Sequence, residues 1–350
     1  MNFRLSYLTN TVILLSGMVG VIVMFVVNIA VGSVHIPVDT VVKIILDELM
    51  TDGETNDVWT NIILKTRLPQ AVTAVVAGAG LSVAGLEMQT VFRNPLAGPS
   101  VLGVSSGASL GVALLILLSG SIGGRAMSSM GIYGNVGMTV AAAFGAMVVM
   151  SVIAIVAHKV KGNVTLLIVG VMIGYIANAI IGVLKLFSPA EDIRAYTVWG
   201  MGSFSSVSLS QIGVFSIIMV VLLLLSVLMV KSLNILLLGD YYAQNLGLDV
   251  GKTRMYVILS SGLLVAVCTA FCGPVSFIGL SVPHLVRGVF RSSDHRVVMP
   301  GCVVFGALLA LSCNLISRMP GAAGSLPVNS VTSLIGAPVV IWVIFRERKR

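Results

Sequence analysis

The chain is poor in charge. Only 10% of its 350 residues are Asp, Glu, Lys or Arg, against about 25% in soluble globular domains. That leaves too little polar material for a water-facing shell, and a soluble enzyme is excluded. Cysteine is scarce as well. Cys268, Cys272, Cys302 and Cys313 lie in apolar stretches without a C-x-x-C pair or a histidine at metal-ligand spacing, so they read as small buried hydrophobes, with no metal centre or cofactor expected. The four histidines fall on separate segments and the acids do not cluster, so no constellation for a membrane-embedded enzyme is evident. No repeat, low-complexity tract or linker to a soluble domain appears, and residues 1–350 read as one membrane domain.

What is abundant is apolar. The hydrophobic fraction is 57%, with 37 glycines, and the mean hydropathy is +1.05. A transmembrane helix takes about 20 mostly apolar residues, so this fraction suffices for about ten. Charge-free runs occupy 5–38, 68–86, 94–124, 126–158, 162–184, 195–230, 255–286, 297–317 and 319–345. The 255–286 run is too long for one span and carries Gly273-Pro274 in its middle, which predicts two helices joined by a turn. The fold class expected is therefore an all-α polytopic membrane protein of about ten spans. The first run, behind Met1-Asn2-Phe3-Arg4, lacks a convincing cleavage site and reads as a retained span.

An even number of spans places both termini on one side, and the positive-inside rule selects the cytoplasm. On that reading fourteen of the 21 Lys and Arg lie inside, among them Arg4, Arg93, Lys159, Arg254, Arg287 and Arg346. Eight of the thirteen acids lie outside, from Asp39 to Asp57 and at Glu191 and Asp192. The net charge of +8 is thus a cytoplasmic span-end charge, which removes nucleic acid as a partner.

Four segments carry information beyond span counting. Arg67-Leu68-Pro69-Gln70 opens a small-residue helix that ends in Arg93-Asn94-Pro95-Leu96-Ala97-Gly98-Pro99, a broken turn at the inner surface suited to lining a pathway. Gly239-Asp240-Tyr241-Tyr242-Ala243-Gln244-Asn245-Leu246-Gly247 reads as a short amphipathic cytoplasmic helix closed by glycine, a handle for a partner. The following Gly251-Lys252-Thr253 is no phosphate loop, because Leu246 stands where the first glycine is needed. His284, at membrane depth, reads as a neutral hydrogen-bonded residue, and Glu87 is the one acid placed inside a span. Arg67 and Arg318 both emerge on the outer face. The glycines at 103, 107 and 111 predict close helix packing.

Arg67-Leu68-Pro69, Asn94-Pro95-Leu96-Ala97, Gly103-Val104-Ser105-Ser106-Gly107-Ala108, Gly279-Leu280 with Pro283-His284, Asp294-His295-Arg296 and Ile335-Gly336-Ala337-Pro338 follow one another in a single order. From about residue 60 to the C-terminus the chain resembles the FecCD/BtuC-type permeases. These are the membrane subunits of type II ABC importers for iron–siderophore complexes, haem and cobalamin. The resemblance implies a second permease subunit forming a homodimer, cytoplasmic ABC ATPases, an extracytoplasmic binding protein and a home in the bacterial inner membrane. It implies a coupling loop over 236–252 in which Gly239, Asp240, Ala243, Leu246 and Gly247 meet the ATPase, with Asp240 standing where glutamate is usual. It implies docking of the binding protein at Arg67 and Arg318, with Gln70 departing from a second arginine. It implies an inner gate at Asn94, Leu96 and Asn163, where Val164 breaks the polar pair. Asn314, Ser325 and Asn329 are further departures. The pathway is expected to carry a large iron chelate, haem or cobalamin by alternating access, with no chemistry done by the chain itself. The rival expectation is an ion-coupled secondary transporter, which needs an essential buried ionisable group such as Glu87.

Overall fold

The computed structural model describes residues 2–32, 58–123, 132–159, 163–318 and 326–347, with isolated positions from 34 to 44, and among them no strand occurs. Most of the amphipathic piece expected around 41–50, and Ser325, lie outside the described residues. The helices are α1 (Asn2–Ala30), α2 (Val58–Ile62), which runs through a π-helical turn (Ile63–Arg67) into α3 (Leu68–Phe92), α4 (Val104–Gly123), α5 (Ile132–Lys159), α6 (Asn163–Leu186) and α7 (Ala190–Gly200). They continue with α8 (Leu209–Leu228), α9 (Val230–Leu237), α10 (Asp240–Asn245), α11 (Val250–Cys272), α12 (Ile278–Phe290), α13 (His295–Ser317) and α14 (Val328–Glu347). Among the described residues seven helical stretches are long and apolar enough to cross a membrane, and three shorter apolar helices lie within α4, α12 and α14.

Helix α3 is the axis of the molecule. Its spanning window is 83% buried, against 17–28% for α1, α5, α6 and α8, which present apolar faces outward. Lipid provides no hydrophobic drive between helices, so close backbone approach and interhelical hydrogen bonds must hold them together. Gly85 of α3 lies so close to α12 that a Cβ there would come within 1.7 Å of the Gly279 carbonyl. The same happens between α4 and α5, where a Cβ on Gly107 would meet the Gly145 carbonyl at 2.6 Å. Hydroxyls supply the polar ties: Ser82 Oγ donates to the Cys302 carbonyl at 2.6 Å and Ser261 Oγ to the Ala84 carbonyl at 3.0 Å. All four cysteines are free and buried.

Two charge-free runs fold differently from single spans. The 195–230 run is broken: α7 ends at Gly200, Gly202 takes φ +68°, and α8 begins with a capping box between Ser208 and Gln211. The 255–286 run turns at Gly273 (φ +72°), but α12 begins only at Ile278. The extended stretch between them is embedded in protein, which satisfies its polar groups. The Cys272 carbonyl accepts from Ser203 N at 2.8 Å, and Ser276 N donates to Asn329 Oδ1 at 3.1 Å. Non-helical backbone at membrane depth persists only under such conditions.

The helix ends gather at two poles. The C-termini of α1 and α13 meet the N-terminus of α3 at one, through Arg67 and Arg318. The C-terminus of α3 meets α9, α10 and the N-termini of α11 and α13 at the other.

Candidate coupling and gating site

Six residues are far too few for an isolated helix to be stable, so α10 is held by its surroundings. Ala243 is fully buried against Leu236 and Val250, which fixes one face. Tyr241, Tyr242 and Leu246 face out, at 80%, 67% and 62% exposure, a contiguous aromatic and apolar face open to a partner. Glycines bound the helix at both ends, Gly239 at φ +105° and Gly247 at φ +83°. Gly247 closes a Schellman motif, with its own N–H donating to the Gln244 carbonyl at 2.9 Å and the Leu248 N–H to the Ala243 carbonyl at 3.0 Å. A Cβ at either glycine would meet nothing, so it is backbone conformation and not space that calls for glycine. The Asp240 carboxylate pairs with Arg93 at the end of α3 and with Arg254 of α11. The five residues expected to couple to an ATPase thus divide into an anchor (Ala243), a bridge (Asp240), an exposed contact (Leu246) and two conformational ends.

The turn after α3 is built with the same motif but with arginine in the left-handed position. Arg93 sits at φ +46°, its N–H donates to the Thr90 carbonyl at 3.3 Å, and the Asn94 N–H donates to the Gln89 carbonyl at 3.2 Å. Asn94 Oδ1 then accepts from the Leu96 N–H at 2.9 Å, which sets the turn and leaves Leu96 48% exposed. His284 Nε2 lies 2.6 Å from the Pro95 carbonyl and, facing an acceptor, donates to it. Asn163 opens α6, but its side chain and that of Val164 lie outside the described residues.

The polar network behind this turn was not legible in the sequence. Gln89 donates to the Leu280 carbonyl at 3.2 Å and accepts from Arg287 at 2.6 Å, tying α3 to α12. His295 bridges Thr90 Oγ1 at 2.9 Å and Asn234 Oδ1 at 2.8 Å, and Asn234 Nδ2 donates to Asp294 at 2.6 Å, joining α3, α9 and α13. Asp294 caps α13 through the Arg296 N–H. Burial pushes its carboxyl pKa up, but the Arg296 N–H, the Asn234 amide and the neighbouring cations outweigh that and leave it below the usual value. The sequence signal available was Asp294 as an N-cap; Asn234 and Arg254 gave none.

At the other pole the two arginines expected to dock a binding protein are turned inward. Arg67 is 3% exposed and donates to the carbonyls of Ile29 at 2.9 Å, Ala30 at 2.7 Å and Val34. The reason is the C-terminus of α1, whose last carbonyls have no helical partner and which a guanidinium with five donors can satisfy. Arg318 is part-buried and donates to Asn28 O at 2.9 Å and Oδ1 at 3.0 Å. Burial and the neighbouring Arg67 lower its pKa to about 10. Asn314 donates to the same Asn28 Oδ1 at 2.9 Å, so Asn28, unmarked in the sequence, is the hub of this pole. Gln70 is buried and Asn329 supports the Ser276 backbone. An open cleft of about 750 Å³ lies nearby, lined by Glu191, Arg194 and Trp199 of α7 together with Ser203 and Pro327.

Comparison with known proteins gives one picture. The FecCD transport family matches residues 20–346. The chain is similar to the hemin transport system permease protein HmuU of Yersinia pestis, 36% identical over 297 residues covering 85% of this chain and 86% of the relative. It is similar to the vitamin B12 import system permease protein BtuC of Klebsiella pneumoniae, 35% identical over 289 residues covering 82% of this chain and 83% of the relative. Among solved structures, an inward-facing metal-chelate type ABC transporter superposes with a TM-score of 0.80 at 24% identity, over 95% of this chain and 99% of that one. That likeness establishes the fold, and the match along 20–346 establishes that this chain belongs to the FecCD transport family.

Proposed function

We propose that this permease subunit of an ABC importer pairs with a second copy of itself to form the pathway for a large metal chelate, with an iron–siderophore complex, haem or cobalamin as the cargo. The chain is a transport subunit and performs no chemistry; ATP hydrolysis belongs to a separate ATPase. In this reading about ten helices cross the bacterial cytoplasmic membrane with both termini inside, which the charge distribution supports. The observation that carries the proposal is α10: a six-residue helix too short to stand alone, anchored by Ala243 and Asp240, with Tyr241, Tyr242 and Leu246 exposed to a partner. ATP-driven displacement of such a handle moves α3 and α11, and the turn at Asn94 and Leu96, together with Asn163, opens or closes the inner end. The binding protein docks on the outer pole, where part-exposed Arg318 is available and Arg67 shapes the surface from beneath. Relatives named for hemin and vitamin B12 stand at nearly equal identity, which supports the chelate class and not one member.

The ion-coupled rival rests on Glu87. That residue is buried within the α3, α8 and α11 packing and accepts from Ser260 at 3.1 Å, with Ser226 at 3.0 Å from Ser260. The decisive experiment is reconstitution with ATPase and binding-protein subunits, following uptake of hemin, vitamin B12 and a ferric siderophore. Uptake that needs ATP and survives Glu87→Gln is the expected result. Uptake driven by an ion gradient without ATPase, and lost in Glu87→Gln, would reverse the assignment.

A further inference from the structure

We infer that Arg93 and Arg254 are positioning residues that lock the coupling helix to the gate turn through the single carboxylate of Asp240. The inference rests on the reading of α10 as the ATPase contact. Each oxygen of Asp240 accepts from a different arginine: Oδ1 from Arg93 Nη2 and Oδ2 from Arg254 Nη2. One carboxylate therefore joins three elements: the last turn of α3, the first turn of α10 and the first turn of α11. Arg93 also reaches the Leu236 carbonyl at 3.4 Å, so it touches the chain on both sides of Gly239.

The contacts that hold α10 differ in how closely they fix a direction. Gly239 and Gly247 bound it with nothing packed against their open side, and its apolar anchor, Ala243 on Leu236 and Val250, is a non-directional contact. The carboxylate bridge has direction, because each of its oxygens is committed to one guanidinium. The residue gripped on the α3 side is the one immediately before Asn94, held at φ +46° in the position a glycine usually fills. A pull on the Arg93 side chain therefore acts directly on the Arg93–Leu96 turn. That turn is braced on the far side by His284 at Pro95 O, and the end of α3 by Arg287 at Gln89, so displacement passes on to α12.

Magnitude separates this role from simple stabilisation. Arg93 and Asp240 are 43% and 39% exposed at the side chain, and Arg254 16%. A pair as open as Arg93–Asp240 contributes about 0.2–1 kcal/mol, and Asp240 stays part-exposed to water when either arginine is removed, so removing them should leave a folded subunit.

The test uses the full complex, the chain co-reconstituted with its ATPase and binding-protein subunits, and reads hemin, vitamin B12 or ferric siderophore molecules imported per ATP hydrolysed. In the Arg93→Gln/Arg254→Gln variant that ratio should fall about tenfold, within the range of site-to-site coupling factors. Assembly and stimulated ATP hydrolysis should persist, and Arg93→Lys/Arg254→Lys should recover most of the ratio. An unchanged ratio overturns the inference. Loss of stimulated hydrolysis together with uptake also overturns it, since the arginines would then merely seat α10. If the unaltered complex takes up none of the three under ATP, the proposed cargo class fails first and the clamp falls with it.

Discussion

The two poles use the same residue type in opposite ways. At the pole proposed as the outer one Arg67 and Arg318 cap backbone carbonyls and an asparagine at the end of α1, with no counter-charge among the described residues they contact. At the inner pole Arg93 and Arg254 share one half-exposed carboxylate. A guanidinium buried on carbonyls is insensitive to salt and cannot let go without leaving several acceptors bare. An ion pair at about 40% exposure is screened by salt and can break and reform at little cost. These contacts suit the proposed arrangement, in which the pole holding Arg67 stays fixed and the pole holding Arg93 moves with a partner.

The comparison breaks most visibly at Arg67. Replacing it with alanine leaves the Ile29, Ala30 and Val34 carbonyls without their donor. Only the Ile29 carbonyl is buried at its bond, whereas those of Ala30 and Val34 are part-buried. At about 1–3 kcal/mol for a buried acceptor left unpaired, with less from the part-buried ones, a loss of about 2–3 kcal/mol is expected. Unfolding of the detergent-solubilised subunit measures it, with a midpoint far below that of the Arg93→Gln variant. A midpoint equal to the unaltered chain, with binding-protein affinity reduced, would instead return Arg67 to the docking surface.

A smaller effect, local to the inner pole, is expected from Gly247→Val. A Cβ at this position meets no neighbour, so the cost is the positive φ, about 1–2 kcal/mol. That suffices to unwind the end of α10. Stimulated ATP hydrolysis should be lost while the unfolding midpoint changes little, and Gly247→Asn, which tolerates the left-handed region, should keep most of it. Normal stimulation in the valine variant would remove α10 from the coupling path.

The smallest effect sharpens the contrast by pH. The folded Asp294 carboxyl titrates below its unfolded value of about 3.9, so its stabilising contribution is complete above that pH. It is lost only as pH falls through the lower folded value. The share of Asp294 in the acid-induced decline of the unfolding midpoint should therefore develop below about pH 4, whereas the decline above that belongs to His295, which is buried at the start of α13 and takes up a proton on unfolding. Asp294→Asn should lessen the decline. An equal decline in both would place the acid sensitivity elsewhere.

Much of this architecture was legible beforehand. The charge-free runs marked where helices lie, and Gly273-Pro274 marked a break. The run at 195–230 misled because no charge interrupts it across Gly200 to Ser208, although the glycines and serines of that stretch were the signal. Gly239 and Gly247 could be recognised as helix ends, and Asn94-Pro95 as a turn, because local conformation follows from local residue type. Arg67 was expected at a helix end facing a partner, and the structure buries its side chain there on carbonyls. Its position follows from span counting, but its burial depends on the end of α1, some 37 residues away.

Composition and charge placement alone determined that the chain spans a membrane as helices and which ends carry the positive charge, since lipid admits no other way to satisfy the backbone over such runs. Only the tertiary structure decided what each polar side chain holds. Arg93 and Asp240 are 147 positions apart, and no pattern in either segment names the other. Partners of that kind are chosen by which helix ends pack together, a property of the whole bundle and not of any stretch within it.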